Sequence, residues 1–548
     1  MWDTLRPPSE DETKAFYDAG WWRTETFLDD LERNARERPD HPAVIAYSGG
    51  VPDRTLSWAE YQASVTRCAA ALTELGVGRG DVVAVYLPNR WLLGPLYLAC
   101  ARIGAVSSPV IPVLAGRELA YVLDASKATV CVTVDSFGGV DYDRRLAEVA
   151  PATLKHRVVV GDASRTGALD FEEFFVRTAW EQRHPLDGIE PGGADDPVLL
   201  LYTSGTTGAM KAVVHSQNTL YAAARTVAES QGLSGDDVIS VPNFLTHMAG
   251  SSFAVSLPVL LGATTVMQDN NTDMELFLDL VERHRITWAY LSPSYLVNLL
   301  RIQRDKPRDT ASLHRIVSGS APVQPDLIAE VRTVLDVPAH TLWGMTENGG
   351  VTLTRPGDPE GWGAQSDGSP MPWMQVKIAI EAGGDVGRLL VRGASQTLGY
   401  LGQRDLYEST VDSEGWFDTG DLARVDGRGG IRITGRRNDL ITRASGQKVS
   451  TLEVETILMR HPSVTDVVLV GYPDPAVPAA DLVCAVVVPD GRPPTVGELR
   501  EYLQDQGVAP VLCPDRVQFV WELPKNSLGK VLREPLRRRL EVAAGIPS

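Results

Sequence analysis

The 548-residue sequence holds only five cysteines, Cys68, Cys100, Cys131, Cys484 and Cys513, an odd number with no C-x-x-C spacing. That excludes a disulfide framework and fits buried free thiols in a reducing compartment. A secretory leader is missing too: MWDTLRPPSEDETKAF has no basic region followed by an apolar core, so a cytoplasmic location is expected. No apolar run reaches the length of a membrane span. The longest, Ala254 to Met267, contains Pro258 and Gly262 and reads as buried core. Positive charge is also scarce. Against 70 acidic residues there are 52 basic ones, a balance of −18 that repels nucleic acid and anionic membranes. A polyanionic ligand must therefore be met by a local cluster of donors. Short-period repeats and low-complexity tracts are absent.

What the chain does have is length and apolar content, 43% hydrophobic against 22% charged, enough for two domains or more. From Leu56 onward, apolar runs of strand length alternate with amphipathic runs of helix length, the pattern of parallel sheets with helical crossovers. Ser57 and Glu60 have capping-box spacing, and Trp58, Tyr61, Val65, Cys68, Ala69 and Leu72 repeat at helical intervals until Gly76. The spacing then predicts a strand over 81–86, a helix over 91–103 and a strand near 109–113. A helix from Leu276 precedes a strand over 287–291. Glycines and charges crowd 426–437 and read as a linker. In the tail, Ser450/Glu453 and Thr495/Glu498 have capping-box spacing, while 464–470 and 482–488 read as strands. The expected fold is therefore α/β: a large multi-subdomain N-terminal domain of parallel sheets and helices, 1–435, and a small C-terminal α+β domain, 436–548.

The strongest chemical signal lies between Val198 and His215, where two apolar strands flank a loop of Gly, Ser and Thr that ends in Lys211. Gly205 and Gly208 let backbone N–H groups converge, Ser204, Thr206 and Thr207 add hydroxyls, and Lys211 adds charge, which together can form a polyphosphate nest. It is not a Walker A loop, because no G-K-[ST] follows. From this segment alone a flexible turn between strands is an equal alternative.

Six further segments follow in order: Pro242-Asn-Phe-Leu-Thr-His247, Gly319-Ser-Ala-Pro322, Trp343-Gly-Met-Thr-Glu347, Asp418-Thr-Gly-Asp421, Gly435-Arg436 and Pro524-Lys-Asn-Ser-Leu-Gly-Lys530. With the loop they make the chain resemble, from about residue 20 to 540, the acyl- and aryl-CoA synthetase branch of the adenylate-forming superfamily. The early part is similar to bacterial cyclohexanecarboxylate-CoA ligases. The resemblance implies that Thr203, Ser204, Gly205, Thr206, Thr207, Gly208 and Lys211 cradle the β- and γ-phosphates of ATP. It implies that Glu347 holds Mg2+, a hard cation that takes oxygen ligands. Gly319, Ser320 and Ala321 with Trp343, Gly344, Met345 and Thr346 match the adenine and α-phosphate segments, Trp343 standing where Tyr is usual. Asp421 and Arg436 match the ribose pair, and His247 a catalytic-pocket histidine. Lys530 matches the lysine that reaches the substrate carboxylate and α-phosphate. Asn438 stands at the pivot position of a mobile C-terminal domain.

The implied reaction joins a small carboxylic acid to AMP with release of pyrophosphate and passes the acyl group to coenzyme A. Between Asn243 and Ser252 the sequence is uncharged apart from His247, so an apolar acid is expected. The chain departs from the family at Met210 and Ala212. It also departs at Ile441 to Gly446, one residue longer than usual in a segment that lines the pantetheine tunnel. That departure keeps a stand-alone amide synthetase, with an amine acceptor, as the runner-up. Amino-acid-activating adenylation domains normally place an Asp near the histidine segment, whereas 241–267 holds no carboxylate. No fused carrier domain is expected, since Ser548 lies eighteen residues beyond Lys530. A non-catalytic nucleotide-binding protein would lack Glu347 or Lys530, and luciferase chemistry is not what the pocket histidine implies. Oligomeric state is left open.

Overall fold

The computed structural model describes residues 1–548 except 204–209, 360, 381–384, 446–447, 475–476, 478–479, 526–530 and 544–548. The first helix predicted from capping and period runs Trp58–Glu74. Its Ser57 and Glu60 close a full capping box, and Gly76 follows at φ 77°. Strand Val82–Tyr86 is buried at every position, as a two-sided strand in a parallel sheet requires. The next helix is Leu93–Arg102. The following strand is Val106–Pro109, earlier than 109–113. Its parallel register with Val82–Tyr86 runs from Val82 opposite Val106 to Val85 opposite Pro109, and Val110 N–H still donates to the Val85 carbonyl at 2.9 Å. Helix Met274–His284 and strand Trp288–Leu291 match the expected unit.

Two large sheets result, both mainly parallel, the nine-stranded one with antiparallel strands at both edges and the eight-stranded one at a single edge. The eight-stranded sheet runs, in order, Gly399–Tyr400, Lys211–Ser216, Pro197–Thr203, Val106–Pro109, Val82–Tyr86, Val130–Val134, His156–Val160 and Leu169–Asp170. The nine-stranded sheet has Trp288–Leu291, Arg315–Ser318 and Ala339–Met345 as adjacent parallel strands, with Gly349–Leu353 turning back antiparallel on the last. Its helical layer buries Phe277, Val281, Leu296, Leu299, Leu300 and Val331. The run 254–267 is buried core, as a helix Leu257–Leu261 and a strand Thr264–Gln268 around Gly262. Among the described residues no helix is long and apolar enough to cross a membrane. All five cysteines are free and buried.

The chain packs into two compact units, one of residues 1–375 and 391–417, the other of 376–390 and 418–548. That division falls ahead of residue 436. The expected linker at 426–437 is instead a tight turn and a strand. Asp426 accepts from the backbone N–H groups of Arg428 (2.8 Å) and Gly430 (2.9 Å), and Ile431–Arg436 pairs antiparallel with Phe417–Val425. Acid and glycine in that composition serve turn geometry rather than chain freedom. In the smaller unit, strands Val464–Pro473 and Asp481–Pro489 pair antiparallel. Helix Val496–Asp505 has the predicted Thr495/Glu498 box. Ser450 does not cap its helix. Its hydroxyl donates instead to the Thr434 carbonyl.

Candidate active site

In the larger unit the polar loop has two fixed feet. Pro197–Thr203 and Lys211–Ser216 form an antiparallel hairpin in which Thr203 pairs with Lys211, so the loop leaves and re-enters at one register position. Ser204, Gly205, Thr206, Thr207 and Gly208 lie outside the described residues, as does Lys530. Lys211 extends toward Glu347, its Nζ 3.7 Å from Oε1. A residue that the motifs do not include bonds both. Tyr400 accepts a hydrogen bond from Lys211 Nζ at 3.2 Å and donates one to Glu347 Oε1 at 2.9 Å. The glutamate side chain is only 5% exposed and the lysine 23%. Burial first, then the adjacent Glu347 charge, pushes the Tyr400 phenol far above its ordinary value, so it stays protonated.

The Trp343–Glu347 segment is locked from several sides. Gly344 has no room for a side chain: a Cβ there would stand 2.1 Å from the Gly349 carbonyl oxygen. His215, fully buried, presents Nε2 to the Thr346 carbonyl at 2.7 Å and Nδ1 to the Thr219 hydroxyl at 3.0 Å. A carbonyl can only accept, so Nε2 carries the proton. Burial lowers the pKa of His215 to about 4, against which the Thr346 bond works. The Glu347 backbone carbonyl accepts from Thr397 N–H at 2.7 Å, tying the segment to the strand that carries Tyr400.

Gly319, Ser320 and Ala321 follow strand Arg315–Ser318 at its carboxyl end, the edge where open α/β sheets bind ligands. A Cβ on Gly319 would lie 2.5 Å from the Leu342 carbonyl oxygen, so glycine is what lets this turn touch the strand leading to Trp343. Ser320 is exposed and takes a left-handed conformation (φ 68°), its hydroxyl 2.8 Å from that of Tyr290. Trp343 is half-buried, and Met345 ends its strand. His247 is partly exposed, precedes the short helix Met248–Gly250, and has its pKa lowered by burial. Asn89 holds the loop before it, donating to the carbonyls of Pro242 (3.3 Å) and Asn243 (3.0 Å) and accepting from Leu245 N–H (2.9 Å).

In the smaller unit, Asp421 and Arg436 are directly opposite on neighbouring strands, with Nε 2.6 Å from Oδ1. The carboxylate is buried and the guanidinium largely exposed. Asn438 is exposed in a single 3-10 turn, Arg437–Asp439. The next residue, Asp439, pairs with Arg533 at 3.1 Å, and Arg533 also holds Glu455 at 2.7 Å. Lys525 pairs with Asp466 (2.8 Å) and bridges Val531, so the chain on either side of 526–530 is fastened to strand Val464–Pro473.

Sequence reasoning named Lys211 and Glu347 and missed Tyr400, His215 and Asn89. His215 closes the loop hairpin and could have been flagged as a polar residue in an apolar strand, whereas a Gly-Tyr pair carries no signal of its own. Among the described residues no cluster of three or more His, Cys, Asp or Glu could cage a metal. One buried carboxylate, bonded through only one oxygen among the described residues, suits a cation whose other ligands are phosphate oxygens.

A Gly/Ser/Thr loop sequence that ends in a fixed lysine, a buried carboxylate beside that lysine, and a ribose-type Asp/Arg pair define a class: ligases that activate carboxylates with a nucleoside triphosphate. The AMP-binding enzyme family model matches residues 31–401 and the AMP-binding enzyme C-terminal domain matches 453–530. The chain belongs to this adenylate-forming family, in its acyl-CoA synthetase branch, and is an AMP-forming ligase. It is 32% identical to a salicyl-AMP ligase / salicyl-S-ArCP synthetase of Mycobacterium tuberculosis, over 98% of this chain and 95% of that one. An indoleacetate–CoA ligase of Aromatoleum aromaticum is 31% identical over 93% and 97%. The solved amide bond synthetase of Marinactinospora thermotolerans superposes with a TM-score of 0.80 at 25% identity, covering 94% of this chain and 99% of that one.

Proposed function

We propose that this enzyme converts an apolar, uncharged carboxylic acid and ATP into acyl-AMP and pyrophosphate, then transfers the acyl group to coenzyme A with release of AMP. The observation that carries the reading is the Lys211–Tyr400–Glu347 cluster beside the two feet of the polar loop. It supplies a cation for phosphate oxygens and a carboxylate for a metal within one small volume of an otherwise acidic protein.

In this reading Lys211 and the loop 203–208 bind the β- and γ-phosphates. Glu347 holds Mg2+, whose charge, when bound, offsets that on the phosphate oxygens. Gly319, Ser320, Ala321 and Trp343 through Thr346 receive adenine and the α-phosphate. Asp421 accepts from the ribose hydroxyls while Arg436 donates to them. Lys530 neutralises the substrate carboxylate and α-phosphate as two anions meet. His247 lines the acyl and thiol passage. Leu245 and Met248, both buried next to it, support an apolar tail. A domain 436–548 pivoting at Asn438 would withdraw Lys530 before thiol attack.

The acceptor is the finer point. Relatives named for CoA thioester formation, carrier thioester formation and amide formation all share this architecture. A pyrophosphate-release screen over carboxylic acids, with and without coenzyme A, tests the whole proposal. We expect release with apolar acids and an acyl-CoA product. Product only with amines would move the assignment to an amide synthetase, and no pyrophosphate release with any acid would overturn the adenylation reading.

A further inference from the structure

We propose that Tyr400 is a positioning residue for the polyphosphate end of this site: its phenol bonds both Lys211 and Glu347 and fixes where each charged head group stands for its own ligand. The inference rests on the nucleotide roles proposed above and assigns a role to a residue outside the motifs.

The geometry is that of a bridge. Lys211 Nζ and Glu347 Oε1 are 3.7 Å apart, and the hydroxyl bonds to both, at 3.2 Å and 2.9 Å, so the three atoms form a triangle with the phenol beside the ion pair. The ammonium also lies 5.1 Å from the Tyr400 ring centroid. A hydrogen bond to each charged group fixes where that group stands, and its removal leaves a long lysine stem and a buried carboxylate to find other partners. Oε1 is engaged by the phenol, and among the described residues the second carboxylate oxygen has no hydrogen bond.

Tyr400 can do this because its backbone, unlike the lysine stem, cannot move. Gly399–Tyr400 adds to the edge of the loop hairpin, with Tyr400 opposite Val213, and Leu401 N–H donates to the Ala212 carbonyl at 2.8 Å. The ring packs edge-on against Tyr407 at 5.3 Å, and the Tyr407 hydroxyl donates to the Thr397 carbonyl at 3.2 Å. Thr397 in turn holds the Glu347 carbonyl. One short segment, 397–401, therefore fixes the hydroxyl, the carboxylate and the lysine strand together. Phenylalanine could supply every one of these packing contacts, but not the hydroxyl.

The test uses the full-length enzyme and Tyr400→Phe. ATP binding is followed by calorimetry with and without Mg2+, and ATP–pyrophosphate exchange is titrated with Mg2+. We expect ATP affinity to fall about tenfold even without Mg2+, the size of one lost charge-assisted hydrogen bond. The Mg2+ midpoint should rise, and transfer from a supplied acyl-adenylate to thiol should be unchanged. Tyr400→His, which can offer a neutral N–H from a ring, should recover part of the Mg2+ response. Unchanged ATP affinity and Mg2+ midpoint in Tyr400→Phe would overturn the proposal, and so would equal losses in both half-reactions or no recovery with histidine. Wild-type exchange separates the two readings: its absence defeats the nucleotide assignment itself, whereas its presence with an indifferent Tyr400→Phe defeats only the positioning role.

Discussion

The molecule contains two acid–base pairs of candidate importance, and they are built in opposite ways. Asp421 and Arg436 touch, 2.6 Å apart, and come from facing positions of a single hairpin. Glu347 and Lys211 stand 3.7 Å apart beside a hydroxyl that bonds both; the glutamate comes from the turn after strand Ala339–Met345 of one sheet, the lysine from the first position of strand Lys211–Ser216 of the other, and the hydroxyl from a third segment. The local pair is made by strand register alone and leaves its arginine largely in solvent. The long-range pair needs both large sheets in place, and its carboxylate is buried. The first is closed within one hairpin; the second is bridged by a side chain from elsewhere in the chain.

Breaking the long-range pair should cost most. Glu347→Gln keeps the shape and removes the charge, and we expect ATP–pyrophosphate exchange to fall by roughly 10²–10³-fold, as for loss of one preorganised electrostatic group in an active site. Consumption of supplied acyl-adenylate should persist, which a two-step stopped assay would show.

Acid should weaken the frame around that pair. His215 is neutral and buried with a pKa lowered to about 4, while the unfolded chain titrates near the usual 6.5. The unfolded state therefore binds more protons between these values. Stability is full above about 6.5 and declines as pH falls toward 4, by on the order of 3 kcal/mol for this group. His340, also lowered to about 4 by burial and then by Arg315, adds to the same window. In His215→Gln, whose amide can still donate to Thr346, the slope of denaturant midpoint against pH should be shallower. An unchanged slope would remove His215 from the account.

The touching pair should be the more forgiving. Arg436→Lys retains the charge but loses the planar fork, and with the arginine so exposed we expect KM for ATP to rise only about fivefold. A loss as large as that of Glu347→Gln would erase the distinction between the two pairs.

Where a signal is local, it was legible. The capping boxes at Ser57 and Thr495, the parallel-sheet alternation and the loop hairpin all follow from neighbours in sequence. The misreadings have the same cause in reverse. Ser450 has box spacing, but the Thr434 carbonyl sixteen residues away takes its hydroxyl. The strand beginning at Val106 is set by its partner, not by its own apolar run. The glycine- and acid-rich stretch at 426–437 mimics a linker because tight turns use the same residues. Tyr400 is the furthest case: 189 residues from Lys211 and 53 from Glu347, it acquires meaning only when an edge strand joins the hairpin.

The fastening around 526–530 carries a last consequence. Lys525 is bound to Asp466, and Arg533 spans the Leu469 carbonyl, Glu455 and Asp439, the residue beside the candidate pivot. Both neighbours of the lysine-bearing stretch are thus bolted to one rigid strand. Any movement of that strand would carry Lys525 and Arg533 along together, like two ends of a strap sewn to one seam.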